Sequence, residues 1–251
     1  KAFICSTEAA QMAREAQAVL RIARVAICYT TPMRFSPILI FCSAFLMASC
    51  SLLPPDSQDI EAKQKIIEEY SGETEEAMFA GGCFWCIEAS YEYVDGVVTA
   101  ISGFAGGEIE NPSYKQVSSG ITEHIESVLV IFDPSIVSYK ELVDYFWKQF
   151  DPTDAEGSFG DRGYQYTSAI FYFTEEQKKI AEISKKELEE SGVLKKPIVT
   201  PIRPATPFYP AEQYHQDYYK ENPLRYKYYR NGSGRDKFLL GVWGEDTVHG
   251  F

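Results

Sequence analysis

Six segments with a regular apolar pattern follow one another in this chain in the order strand, helix, strand, strand, helix, strand. They read EAMFA, CFWCIEASYEYV, VVTAISGF, HIESVLVIF, SYKELVDYFWKQF and YQYTSAIFYF. The strand candidates are rich in β-branched and aromatic residues, and the helix candidates repeat apolar residues every three or four positions. This order is that of the ferredoxin-like split β-α-β core, so we predict an α+β fold with an antiparallel or mixed sheet backed by helices.

Polar residues mark where the predicted helices begin. Ser138 with Glu141, and Thr174 with Gln177, have the spacing of capping boxes, and the second of these helices should run to Gly192. Further on, PIVTPI predicts a short strand and AEQYHQDYYKEN predicts a helix within a long C-terminal coil.

Two glycines separate the first strand from the first helix. The chain reads Gly81-Gly82-Cys83, so we expect Cys83 at the helix N-terminus, where free N–H groups lower the pKa of a thiol. Cys86 follows one turn later on the same face and could reach Cys83 to form a disulfide.

The C-x-x-C spacing has other interpretations. A structural zinc site usually needs a second such pair, but no cysteine follows Cys86, so we expect no metal. A thioredoxin-type pair usually has small residues or proline between its cysteines, whereas here Phe84 and Trp85 fill the gap. Two interpretations of the cysteine pair stay open: the redox pair of a general thiol–disulfide oxidoreductase, and a nucleophile with its own resolving thiol.

The strand HIESVLVIF carries a carboxylate among apolar neighbours. Because alternate strand residues share a face, Glu126 should lie beside Val128, Val130 and Phe132. Desolvation would raise its pKa and make it a general acid near neutral pH. The alternative is an exposed glutamate at the end of the strand.

Other polar residues are weaker candidates. Asp161 lies in a tight loop, GDRG, and Tyr166 and Tyr114 could donate hydrogen bonds from the wall of a pocket. The chain has 17 tyrosines, so packing is the alternative for each of these two. We interpret His215 as a structural histidine.

Several uncommon motifs in this order resemble the type A peptide methionine sulfoxide reductase family, over roughly Glu75 to Gly244. They are GGCFW, NPSY, HIES, GDRGYQY, FYPAEQYHQDY and GSGRDKF. The resemblance implies the split β-α-β core and the reduction of methionine S-sulfoxide, free or in proteins, as a repair of oxidised proteins.

The resemblance also implies roles for single residues. Cys83 would attack the sulfoxide sulfur. Glu126, assisted by Tyr114 and Tyr166, would protonate the sulfoxide oxygen. Asp161 matches a family position near the site, with a less direct role.

A second set of implied roles concerns substrate binding and recycling. Phe84 and Trp85 would hold the ε-methyl group of the substrate. The family commonly has glycine at the position of Cys86 and resolving cysteines near the C-terminus, so here Cys86 is the expected resolving thiol. No bound cofactor is expected; an external dithiol, thioredoxin or a similar protein, would reduce the Cys83–Cys86 disulfide.

The formal net charge of −12 argues against general affinity for nucleic acid. We expect a monomer whose partners are its oxidised substrates and its reductant.

The first fifth of the chain differs from the rest. Apolar residues followed by Met47-Ala48-Ser49-Cys50 resemble a bacterial lipoprotein signal, with Cys50 lipid-modified after cleavage. We therefore expect a protein that is anchored by lipid to a membrane of the bacterial cell envelope and faces the periplasm or the exterior. The alternatives are a secreted protein, or a cytoplasmic protein if the signal is not used. The predicted segments are non-native upstream sequence (1–32), signal (33–50), tether (51–74) with a short helix in IEAKQKIIEEY, catalytic domain (75–245) and tail (246–251).

Overall fold

A computed structural model describes residues 58–244. Cys50, the signal segment 33–50 and the tail 246–251 lie outside these residues, so what the sequence predicts for them stays a prediction. None of the helices between residues 58 and 244 has the length and apolar character needed to cross a membrane.

The described residues contain eight helices and eight strands. The helices are α1 (Gln58–Glu69), α2 (Phe84–Tyr91), α3 (Tyr114–Ser118), α4 (Tyr139–Phe146), α5 (Glu175–Ser191), α6 (Tyr218–Glu221), α7 (Pro223–Ser233) and α8 (Arg235–Trp243). The strands are β1 (Glu75–Gly81), β2 (Val97–Ala105), β3 (Ile125–Phe132), β4 (Gly157–Ser158), β5 (Asp161–Arg162), β6 (Ser168–Tyr172), β7 (Ile202–Pro204) and β8 (Tyr209–Pro210). Two 3₁₀ turns lie at Tyr164–Tyr166 and Gln213–His215.

Four strands form an antiparallel core in the order β6-β1-β3-β2. Strands β1 and β2 are joined through α2 but are separated in the sheet by β3, which is the split β-α-β arrangement. Strand β7 extends one edge parallel to β6, and β8 extends the other antiparallel to β2, so the sheet is mixed. The predicted α+β fold with this core is confirmed.

From Ala77 onward strand β1 is buried on both faces, whereas its first residues, Glu75 and Glu76, are exposed. Phe79 points toward α2 and α4, where its ring stacks on Tyr91 and Phe146 at centroid distances of 5.1 and 4.9 Å. Met78 packs in a second cluster with Phe171. Because alternate residues of a strand face opposite sides, a central strand covered on both sides is apolar throughout.

The predicted caps are largely confirmed. Ser138 and Glu141 form the full capping box of α4. Thr174 caps α5 by accepting from the N–H of Gln177, but the Gln177 side chain accepts from the N–H of Phe173 instead of completing the box. The last predicted strand, PIVTPI, is displaced, since β7 begins at Ile202.

The prediction of one helix over residues 211–222 is wrong. The segment contains a 3₁₀ turn and the one-turn helix α6, with the extended Gln216 and the left-handed Asp217 (φ 50°) between them. The Gln216 side chain accepts from the N–H of Ser102 at 3.1 Å and donates to its carbonyl at 2.8 Å. These bonds to β2 hold the segment against the sheet edge, and helical periodicity does not reveal them.

Strand β6 is shorter than predicted, because Tyr164–Tyr166 form a 3₁₀ turn. Gly163 precedes this turn with φ 117°, a conformation that favours glycine, and Gln165 donates to the carbonyl of Ser118 at 3.0 Å. The turn places Tyr166 at the cavity described below.

Helix α1 packs on the domain through a buried lysine within the segment predicted to be a tether. The Nζ atom of Lys63 lies 2.5 Å from Glu88 Oε1 and 3.1 Å from Glu92 Oε1, and it donates to the Ala100 carbonyl at 2.5 Å. Lys63 therefore connects α1 to both α2 and β2.

Candidate active site

The turn between β1 and α2 places Cys83 at the start of the helix. Gly82 has φ 83°, and a Cβ atom there would lie 2.2 Å from Cβ of Ser158, so only glycine fits. Cys83 is the residue that caps α2. Its predicted position is confirmed.

A cavity of about 200 Å³ opens beside Cys83. Its walls contain every residue that the sequence predicts for substrate binding and the first chemical step, and in addition Tyr229. They are Cys83, Phe84, Trp85, Tyr114, Glu126, Asp161, Tyr166 and Tyr229. Helices, strands and turns that are far apart in sequence meet at this point.

Glu126 lies on β3 and is 2% exposed. Burial raises the pKa of its carboxyl well above the usual range; the nearby Asp161 raises it further, and the hydrogen bond from the N–H of Phe84 acts in the opposite direction. That N–H donates to Glu126 Oε2 at 2.9 Å. Burial therefore favours the protonated, neutral form of Glu126, as its position on an apolar strand face predicts.

Tyr114 and Tyr166 are hydrogen-bonded to each other. Burial raises the pKa of Tyr114 to about 12, and burial with the neighbouring Glu126 raises the pKa of Tyr166. Both hydroxyls therefore keep their protons and can donate. Tyr114 begins α3, whose cap is a full box between Ser113 and Gln116.

Aromatic rings form one wall of the cavity. The Trp85 ring stacks on Tyr218 at a centroid distance of 3.8 Å and meets Tyr229 edge to face at 5.6 Å. Trp85 Nε1 donates to Nδ1 of His215 at 3.1 Å. Burial lowers the pKa of His215 to about 4, so this imidazole is neutral and holds the indole in place.

Asp161 is held by a residue that the sequence analysis did not identify. The hydroxyl of Tyr229, on α7, donates to Asp161 Oδ2. Burial raises the pKa of Tyr229, so it keeps its proton. Nothing in the local sequence distinguishes Tyr229 among 17 tyrosines, whereas Tyr218 lies within the FYPAEQYHQDY motif.

Cys83 and Cys86 are both free thiols, buried, and hydrogen-bonded to each other. The predicted lowering of the Cys83 pKa is wrong: burial raises it, and Cys86, Glu126 and Asp161 raise it further. The hydrogen bond from Cys83 lowers the pKa of Cys86, which is about 6. The effect of the helix N-terminus on Cys83 is outweighed because carboxyl groups and a second sulfur surround it in a dry site.

Glu88, Glu92 and Asp217 form an acidic cluster close enough to hold a metal ion. The ammonium of Lys63 lies among them, 2.5, 3.1 and 3.4 Å from their oxygens. The cluster already has a cation from the protein itself.

Known proteins similar in sequence to this chain belong to one family. The family described as "Peptide methionine sulfoxide reductase" matches residues 75–247. A Bacillus velezensis protein named peptide methionine sulfoxide reductase MsrA is 54% identical over 173 residues, 69% of this chain and 98% of that protein. A longer Vibrio cholerae protein, MsrA/MsrB, is 50% identical over 186 residues, which are 74% of this chain and 49% of that protein.

A solved structure has the same fold. Methionine sulfoxide reductase A of Corynebacterium diphtheriae superposes with a TM-score of 0.55 at 35% identity, covering 62% of this chain and 78% of that one. Sequence match, fold and a cavity that joins a thiol to a buried neutral acid point to one conclusion. The chain belongs to the type A peptide methionine sulfoxide reductase family, enzymes that reduce methionine sulfoxide with cysteine thiols.

Proposed function

We propose that Cys83 attacks the sulfoxide sulfur while Glu126 protonates the sulfoxide oxygen. The observation that carries the proposal is a neutral, buried carboxylic acid in the same small cavity as the thiol. Sulfoxide oxygen leaves only after it is protonated, so the reaction needs an acid that holds its proton at neutral pH.

In this step one oxygen atom passes from the substrate sulfur to Cys83 Sγ. A bond forms between Cys83 Sγ and the substrate sulfur, the oxygen takes the proton of Glu126, and the sulfur–oxygen bond breaks. The released hydroxyl then bonds to Cys83 Sγ, and the bond between Cys83 Sγ and the substrate sulfur breaks, so that methionine leaves reduced. Cys83 is left as a sulfenic acid, and the proton of its thiol returns to Glu126. Tyr114 and Tyr166 donate hydrogen bonds to the oxygen, since both keep their protons. Asp161 acts less directly, from its bond with Tyr229.

The substrate's methyl group binds against Phe84 and Trp85. Their rings lie 6.3 Å apart and Trp85 is fixed by His215 and Tyr218, so the wall is rigid. A fixed apolar wall on one side and hydroxyl donors on the other distinguish the two sulfoxide epimers. We assign the S-epimer, in free methionine and in oxidised proteins, as substrate.

Cys86 resolves the sulfenic acid. It attacks Cys83 Sγ, a disulfide forms, and the hydroxyl leaves as water. The two thiols are already hydrogen-bonded. An external dithiol protein of the thioredoxin kind then reduces the disulfide by exchange. A general thiol–disulfide oxidoreductase is the less favoured function, because disulfide exchange has no use for Glu126.

The decisive test is a single turnover on separate S and R epimers without external reductant. The expected result is about one methionine per enzyme from the S-epimer, little from the R-epimer, and none from Cys83→Ser. Equal reaction of both epimers would contradict the assignment of the S-epimer, and full reaction of Cys83→Ser would remove it from the mechanism.

We also propose a lipid anchor at Cys50, which places the enzyme at the cell envelope facing the periplasm or exterior. The support is the apolar segment that ends at Met47-Ala48-Ser49-Cys50. Intact mass of the mature protein tests it: a chain beginning at Cys50 with added acyl mass is expected. An unmodified Cys50 or an uncleaved chain would refute the anchor.

A further inference from the structure

Cys86 does not line the substrate cavity, and it packs against the C-terminal helices α6 and α7. It is 1% exposed and packs with Ala89, Tyr218, Tyr219 and Tyr226. The first chemical step does not use Cys86, so the polar groups around it need another explanation.

A line of hydrogen bonds runs from Asp236 to the sulfur of Cys86. Arg230 Nε donates to Asp236 Oδ1 at 2.7 Å, and Arg230 Nη1 donates to the Tyr226 hydroxyl oxygen at 3.2 Å. The Tyr226 hydroxyl is in turn hydrogen-bonded to Cys86. Because its oxygen accepts from arginine, the proton of Tyr226 is available to the sulfur. A donor of this kind stabilises a thiolate.

A second arginine supplies charge without a carboxylate partner. Arg235 is 1% exposed, and its guanidinium donates to the carbonyls of Gly81 (3.2 Å) and Gln149. It lies over the ring of Phe159 at 4.9 Å, and it forms no ion pair with any residue between 58 and 244. A buried cation held only by neutral groups requires a nearby negative charge. Arg235 also lowers the pKa of Cys86, as does Arg230.

Acidic side chains face one of the two sulfurs, and basic side chains face the other. Glu126 on β3 and Asp161 on β5 face Cys83 and raise its pKa. Arg230 and Tyr226 on α7 and Arg235 on α8 face Cys86.

We propose that Cys86 carries the negative charge of the reduced thiol pair, and that Tyr226, Arg230 and Arg235 are positioning residues that hold this charge for the resolving step. The proposal rests on Cys86 being the resolving cysteine. The Cys86 thiolate attacks the sulfur of the Cys83 sulfenic acid; the sulfur–sulfur bond forms, the sulfur–oxygen bond breaks, and the hydroxide takes a proton from solvent and leaves as water.

The charge can be measured without turnover. Ultraviolet absorbance reports thiolate in Cys83→Ser, with the Cys83→Ser/Cys86→Ser double variant subtracted to remove the tyrosine signal. Adding Tyr226→Phe to Cys83→Ser removes one hydrogen-bond donor to the Cys86 thiolate. This loss should raise the midpoint of the Cys86 titration by about one pH unit. Adding Tyr219→Phe is the matched control: Tyr219 belongs to the same cluster, but its hydroxyl donates to Glu92. In this control the midpoint of the Cys86 titration should not move.

A Cys86 midpoint near that of a free thiol, about 8.5, or equal midpoints with and without the Tyr226 hydroxyl, would overturn the proposal. This titration does not depend on the resolving role. Normal thioredoxin-driven turnover by Cys86→Ser would instead refute that role and leave the titration result intact.

Kinetics of the enzyme with both Cys83 and Cys86 present distinguish a positioning role of Tyr226 from a purely structural one. After one equivalent of methionine sulfoxide, methionine reports the first step and loss of free thiol reports the second. In Tyr226→Phe the pH midpoint of thiol loss should rise by about one unit, while methionine formation should change less. Equal slowing of both steps at every pH would show a structural role only, and would contradict the proposal. Thermal unfolding of each variant confirms that it is folded.

Discussion

The backbone N–H of Phe84 donates a 2.9 Å hydrogen bond to Oε2 of Glu126, across 42 positions of sequence. Phe84 follows Cys83 directly, so this bond fixes the Glu126 carboxyl group relative to the Cys83 thiol. The bond comes from the first turn of α2, where N–H groups have no partner within the helix. It also leaves the other carboxyl oxygen of Glu126 available to carry the proton.

Glu126→Gln should slow methionine formation by about 10²- to 10⁴-fold with the fold intact, because the amide cannot transfer a proton. Single-turnover reactions quenched at successive times measure the rate of methionine formation. The wild-type rate should also fall as pH rises through the raised pKa of Glu126, since only the protonated form is the acid. Glu123→Gln, an exposed glutamate on the same segment, is the control. An unchanged rate in Glu126→Gln would remove Glu126 from the mechanism.

Cys86→Ser should give about one methionine per enzyme and then stop, because the sulfenic acid of Cys83 has no partner thiol in the domain. Turnover with thioredoxin should be lost while the first turnover remains. Mass spectrometry after trapping should find the added oxygen on Cys83. Continued turnover would mean that another thiol resolves the intermediate.

Gly82→Ala should lower the free energy of unfolding by roughly 2–4 kcal/mol, because φ 83° is strained for alanine and the new Cβ would overlap Ser158. The turn carries Cys83, so methionine formation should fall as well. Denaturant unfolding measures the first effect. Gly241→Ala is the matched control: Gly241 lies in α8 with nothing within 4 Å of an added Cβ, and the exchange should be neutral or stabilising by up to about 1 kcal/mol. Equal stability of the two variants would contradict the strain at Gly82.

Lys63→Met should destabilise the fold by about 3–5 kcal/mol, because it leaves Glu88 buried without its cation. Burial already raises the pKa of Glu88 to about 7, against the effect of Lys63. Without Lys63 this pKa rises further, so protonation at low pH relieves the loss. The deficit relative to wild type should therefore be larger at about pH 8 than at about pH 5.

Urea unfolding of the Lys63 variant at the two pH values gives that comparison. In the double variant Lys63→Met/Glu88→Gln the charge is gone. The amide oxygen introduced there can still accept a hydrogen bond from Ser102 or from the N–H of Asp217, the two donors to Glu88 other than Lys63. The double variant should recover part of the stability and lose the pH dependence. If Lys63→Met lost the same unfolding free energy at both pH values, packing of the lysine side chain, and not its charge, would be what stabilises α1 on the domain.

Local patterns in the sequence determine the order of helices and strands, the start of α2 at Cys83 and the inward face of Glu126. These features depend on periodicity, glycines and caps within a few residues of each other. The motifs also determine the family, since they are uncommon and occur in a fixed order. Local patterns fail at residues 211–222, where Gln216 bonds to a strand more than 100 positions earlier.

Only the tertiary structure decides what surrounds the two sulfurs. Tyr229 reaches Asp161 across 68 positions, and Arg235 reaches the carbonyl of Gly81 across 154. Such contacts depend on how α7 and α8 pack against α2, which no short sequence pattern records. The ionisation of Cys83 and Cys86 follows from these neighbours and from burial, and it is the reverse of what a helix N-terminus alone would produce.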